Sequence, residues 1–141
     1  MIDAKDLRIG NWVNVSLKSN QGRILKRQIG CQDIVRLFEN TGSFDYNFIL
    51  LTPEILEKCG LSQLPHFTVN DAWRINIGRD RVLSVVCVGE PNEMIFLTEE
   101  QPPVVNDVIC LRNCDYDGKT YLHDLQNIYY SLTKNELEFK V

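Results

Sequence analysis

The stretch that most constrains the fold is Thr120 to Leu132, TYLHDLQNIYYSL. Tyr121, Leu122, Leu125, Ile128, Tyr129 and Leu132 recur at three- and four-residue steps, which predicts an amphipathic helix with one broad apolar stripe. The opposite side carries His123, Asp124, Gln126, Asn127, Tyr130 and Ser131, and is expected to face solvent or a partner. Almost everything upstream reads as short strands, so this helix is predicted to be the element their apolar faces pack on, with Thr120 as its N-cap.

In chain order, Trp12 to Leu17 alternates with period two and predicts a strand, with a return strand over Arg23 to Ile29 after the Ser19-Asn20-Gln21-Gly22 turn. Gln32 to Phe38 and Phe44 to Leu51 are read as a third and fourth strand. Short strands and tight turns over residues 1–51 predict a small SH3-like β-barrel. Residues 52–60 carry the best-punctuated helix signal: Thr52 to cap, Pro53 at the first helical position, Glu54 and Lys58 matched to the dipole, and Gly60 to stop. It is read as a helix connecting the two halves. Residues 61–141 are expected to form an antiparallel sheet plus the C-terminal helix, the whole packed as one compact unit. In it, Leu61 to Pro65 is loop, strands lie at 67–69, 73–77, 82–88, 94–97 and 108–111, and a closing edge strand at 137–141. The near-continuous apolar run Val82 to Val88 predicts a central strand covered on both faces. The fold class is α+β.

The composition excludes several classes. With 44% hydrophobic and 24% charged residues among 141, extended disorder is not expected. No apolar run approaches the ~18 residues that span a bilayer, so no membrane association is expected. The opening MIDAKDLRIG lacks a signal-like apolar core, and a cytoplasmic location is the default expectation. Five cysteines, odd in number and irregularly spaced, read as reduced thiols, most of them in the core. The net charge of −4 argues against nucleic-acid binding through general phosphate attraction. The charge is uneven, however: residues 1–51 carry seven Lys and Arg against five acids, and residues 52–141 eight against fourteen.

Four constellations bear on chemistry. Asn113-Cys114-Asp115-Tyr116-Asp117-Gly118 with Asp124 has the outline of a calcium loop, but lacks the usual first Asp and the bidentate Glu, and follows a strand pattern. Asp115, Asp117 and Asp124 are therefore metal candidates, weighed against an Asp-Gly turn feeding the helix. Cys110 and Cys114 lie roughly 13 Å apart at strand rise, which favours core thiols over a zinc pair. His123-Asp124 resembles a paired ligand of metal-dependent hydrolases, without the further His and Asp residues such sites need, and is read as a surface histidine and its neighbour. Lys18, Arg23, Lys26, Arg27 and Arg36 form a basic cluster on the predicted second hairpin, near Trp12, suited to nucleic acid or an acidic partner or to an ordinary solvated edge.

Three stretches, LRIGNWV, ILLTPEILEKCGL and YLHDLQNIYYSLTKNEL, together resemble a family of small uncharacterised proteins of anaerobic gut bacteria and of their phages and integrated elements. The final motif is carried here by His123, Leu125, Gln126, Asn127, Ile128 and Tyr129. Lys134-Asn135-Glu136-Leu137 stands where the family pattern often has Gly-Glu-Glu-Leu. The resemblance implies a phage or mobile-element setting and carries no activity over. It gives Gln126 and Asn127 a second reading, as fasteners of helix to sheet or as part of a binding surface.

The expectation is a non-enzymatic accessory protein acting through an unknown protein partner or self-association, without a cofactor. The alternatives are a nucleic-acid-binding accessory protein using the basic hairpin, and a small metal-dependent hydrolase.

Overall fold

A computed structural model describes residues 4–64, 72–87, 94–100, 109–112 and 119–141. The expected strand at 67–69 and the candidates Asp115 and Asp117 lie outside the described residues. Following a 3₁₀ turn at Ala4–Asp6, the elements run β1 (Trp12–Leu17), β2 (Asn20–Gln28), α1 (Cys31–Glu39), β3 (Phe44–Phe48), α2 (Pro53–Lys58), β4 (Ser62–Leu64), β5 (Ala72–Gly78), β6 (Arg81–Cys87), β7 (Met94–Glu100), β8 (Ile109–Arg112) and α3 (Leu122–Thr133). They build an α+β protein with two antiparallel sheets, ordered β2-β1-β3 and β4-β5-β6-β7-β8.

The first sheet is open, and no closed barrel is found among the described residues. The reason lies at Gln32 to Phe38, expected as a strand and instead most of α1. Ile34, Leu37 and Phe38 follow a three- and four-residue step, and Asp33 accepts the Gly30 N–H at 2.9 Å, satisfying a donor at the helix start. Asn40 ends the helix in the left-handed conformation, φ 53°. Ile34 and Leu37 pack on a small cluster built from Val13, Val15, Ile29 and Tyr46. Register pairs Val15 with both Leu25 and Tyr46, so one face of this sheet meets α1.

The five-stranded sheet is an antiparallel ladder with β6 at its centre, and Val82, Leu83, Ser84 and Val85 are all buried, so both of its faces are covered. β4 forms in what read as loop, pairing Ser62–Leu64 with β5. α2 forms where its caps sit: Thr52 Oγ1 accepts the Ile55 N–H at 3.3 Å, and Gly60 takes φ +85° just beyond the end. Ile55, Leu56 and Cys59 dock in the main core beside Trp73, Leu83, Phe96, Leu122 and Leu125. Ile49 and Leu51 belong to the same core, so apolar residues at the end of the first 51 pack with the second sheet.

The last five residues form no strand. Leu137 and Phe139 turn into the main core, Phe139 meets Trp12 edge-on at 5.5 Å, and the Lys140 N–H donates to Lys58 O. Their alternation is thus one of burial, without a neighbouring strand. Among the described residues no helix is long and apolar enough to cross a membrane.

Candidate functional site

α3 presents the strongest contrast with its sequence. Leu122 and Leu125 are fully buried in the main core, and Ile128 and Tyr129 pack against it. The polar side, expected at the surface, is buried too: His123, Asp124 and Gln126 are each under 9% exposed. The His123 ring stacks on Phe48 of β3 at 4.3 Å and on Tyr121 at 5.9 Å, and its Nε2 lies 3.2 Å from Asp124 Oδ1. Asp124 also accepts the Tyr121 N–H, so Tyr121 is the N-cap. Thr120 is buried and bonded to the Met94 backbone at 3.3 Å, not capping the helix as expected. α3 therefore has one side on the large sheet and the other on β1 and β3.

Gln126, Asn127 and Tyr130 are joined to the N-terminal segment. Gln126 Oε1 accepts the Trp12 N–H at 2.9 Å, and its Nε2 donates to Gly10 O at 3.3 Å. Asn127 Oδ1 accepts from Arg8 Nε at 3.2 Å and Asn11 Nδ2 at 2.9 Å. The Arg8 guanidinium lies 4.3 Å above the Tyr130 ring and pairs with Glu136. LRIGNW and HDLQNIYY thus meet across the molecule. Side chains of both motifs serve each other, and a ligand would have to displace these bonds.

A second arrangement is built around Asp33, which is 2% exposed. Its carboxylate accepts the Tyr46 hydroxyl at 2.8 Å as well as the Gly30 N–H, with Arg27 at 3.5 Å and Arg36 at 4.0 Å. Burial, and then the hydrogen bond to Asp33, raise the Tyr46 phenol above its ordinary value. Arg27 also approaches the Phe44 ring, at 5.9 Å. Two cations of the basic cluster are accordingly directed at an internal carboxylate, and Arg36 sits on α1, off the hairpin.

Lys18, Arg23 and Lys26 form no ion pair among the described residues. Arg23 and Lys26 lie on β2, an edge strand whose nine residues are all exposed. Between them stand Ile24 and Leu25, 63% and 56% exposed. Beside the strand a groove of about 520 Å³ is lined by Lys18, Gln21, Ile24, Arg36, Phe44 and Asp45, among others. Trp12 takes no part in this surface, since it packs against Phe139. Sequence reasoning found the cations but missed the exposed Ile24 and Leu25 between them, whose exposure depends on both faces of β2 being uncovered.

Of the cysteines with described side chains, Cys59 is buried, Cys87 half-buried and Cys31 exposed, so the expected core role holds for only part of the set. Burial pushes the Cys59 thiol up to about 12. Among the described residues no three His, Cys, Asp or Glu side chains group as metal ligands. No protein-family model matches the chain. Comparison with curated proteins and with solved structures likewise finds no match.

Proposed function

We propose that this chain is a non-enzymatic interaction module of a phage or mobile-element setting, and that it engages a protein partner through the β2 side of the N-terminal sheet. The observation that carries the reading is the exposed edge strand β2. It bears Arg23 and Lys26 without ion pairs among the described residues, with Ile24 and Leu25 open to solvent between them. An edge strand offers unpaired backbone groups, and each face of β2 sets one exposed aliphatic side chain beside one cation, Leu25 beside Arg23 and Ile24 beside Lys26, which suits a complementary protein segment. The polar residues of α3 support the same reading, because His123, Gln126 and Asn127 are engaged in internal contacts.

Nucleic acid is the second reading, favoured by Lys18, Arg23 and Lys26, which form no ion pair among the described residues. The chain's net charge of −4 and the exposed aliphatic pair weigh toward protein. Tagged protein, with and without nuclease treatment, tests the two against each other in a pull-down from the native host. A partner that survives nuclease, and is lost from the Arg23→Glu/Lys26→Glu variant, is the expected result. Partners released by nuclease would favour the nucleic-acid reading.

A further inference from the structure

Resting on that reading, we infer that β2 takes an extended segment of a partner protein as an added antiparallel strand, and that the segment carries two acidic residues flanking two apolar ones. The backbone phase of the edge is set by two bonds at the ends of β1. The Ile29 N–H donates to Asn11 O at 2.7 Å and the Lys18 N–H to Ser43 O at 2.9 Å. Antiparallel ladders alternate bonded and non-bonded pairs. Carried along the register Val13↔Arg27 and Val15↔Leu25, both bonds turn residues 25 and 27 toward β1. The N–H and C=O of Ile24, Lys26 and Gln28 consequently point to the open side. Backbone pairing there gives affinity, and side-chain complementarity gives selectivity.

The side chains specify the occupant. An antiparallel segment lying on β2 meets Lys26, Leu25, Ile24 and Arg23 in succession. Opposite charges directly across a pair stabilise it and like charges destabilise it. The complementary order is acid, apolar, apolar, acid. A second copy of this chain is disfavoured by the same rule: in registers that keep the outward groups facing one another, pairing β2 with itself about Leu25 sets Arg23 against Arg27, pairing about Lys26 sets Lys26 against its own copy, and pairing about Ile24 gives neither cation an acidic partner. A phosphate backbone satisfies the cations and can accept from the outward N–H groups, but it donates nothing to the outward carbonyls and offers no apolar surface to Ile24 and Leu25.

The probe is the peptide Ser-Thr-Glu-Val-Ile-Glu-Thr-Ser, fluorescently labelled and titrated with the full chain at low salt, beside its Glu-to-Lys counterpart and a single-stranded oligonucleotide. The acidic peptide should bind saturably, shift the amide resonances of Ile24, Lys26 and Gln28, and slow their hydrogen exchange. Ile24→Pro removes an outward donor while sparing the bonds to β1, a position where an edge strand tolerates proline. It should weaken binding by about tenfold or more, a loss of ~1.4 kcal/mol. Arg23→Glu/Lys26→Glu should exchange the preference, binding the lysine peptide in place of the acidic one, which a misfolded variant would not do.

Oligonucleotide binding without peptide binding overturns the inference, as does peptide binding that Ile24→Pro leaves unchanged. If the peptide fails to bind while the charge-reversal variant still loses its nuclease-resistant partner, strand addition is wrong and the interaction-module reading stands. If capture is also unaffected by that variant, both fall.

Discussion

Gln126 is the most informative position to perturb, since it is 1% exposed and joins α3 to the start of β1. Replacing it with leucine keeps most of the volume and removes both hydrogen bonds, to the Trp12 N–H at 2.9 Å and to Gly10 O at 3.3 Å. Gly10 O retains Gln28 Nε2 as a donor at 3.1 Å, so the larger cost falls on the Trp12 amide. A buried donor left without a partner costs ~1–3 kcal/mol, and each lost bond contributes about 1 kcal/mol. The added apolar burial offsets part of this, leaving a net loss of ~2 kcal/mol. For a chain of this size that corresponds to a fall of roughly 6 °C in melting temperature. Calorimetry and urea unfolding at neutral pH measure it. Gln126→Glu gives a signed control. Burial holds its carboxyl protonated, above the unfolded value, so its stability should decline as pH rises from about 4 to 8. A Gln126→Leu protein melting within about 1 °C of wild type would refute the view that these bonds fasten α3 to the first sheet.

Asp33→Ala leaves the Tyr46 hydroxyl and Gly30 N–H without their acceptor and Arg27 and Arg36 without a counter-ion, and should cost ~2–4 kcal/mol in urea unfolding. Tyr46→Phe should cost less, and the double variant should fall short of the sum; strict additivity would mean the pair does not act together. Alkaline stability supplies another test. Cys59 rises from 9.0 to about 12 through burial, and Tyr46 is raised above 10.0 by burial and then by its bond to Asp33. Both protons are held more tightly folded than unfolded, so the stability these two groups contribute is constant below roughly pH 9 and is lost above it. Cys59→Ala should flatten the fall between about pH 9 and 11 in urea midpoints, and an unchanged slope would remove Cys59 as its source.

Local signals were legible wherever the determining chemistry is local. Thr52, Pro53 and Gly60 delimit α2 because capping acts between near neighbours in the chain. The apolar run of β6 announced a strand covered on both faces for the same reason. α1 stands where a strand is expected, and its β-branched Ile34 and Val35 are compatible with either. The helical spacing of Ile34, Leu37 and Phe38, with Asp33 three residues after Gly30, was a signal that could have found it. That single change removed a strand from the expected barrel.

The sequence by itself determined the α+β class, the position of α3, and the basic character of the β2 region, through periodicity and charge readable within a few residues. Tertiary structure alone decided which faces are open. α3 offers a polar side whose burial depends on meeting Gly10, Trp12 and Phe48, and no periodicity reports a partner more than 70 residues away in sequence. The open backbone edge of β2 likewise follows from the strand order β2-β1-β3, and Ile24 and Leu25 are exposed because neither face of that strand is covered. A side chain's own chemistry is local, but whether water, backbone or another strand satisfies it is settled only when distant segments pack.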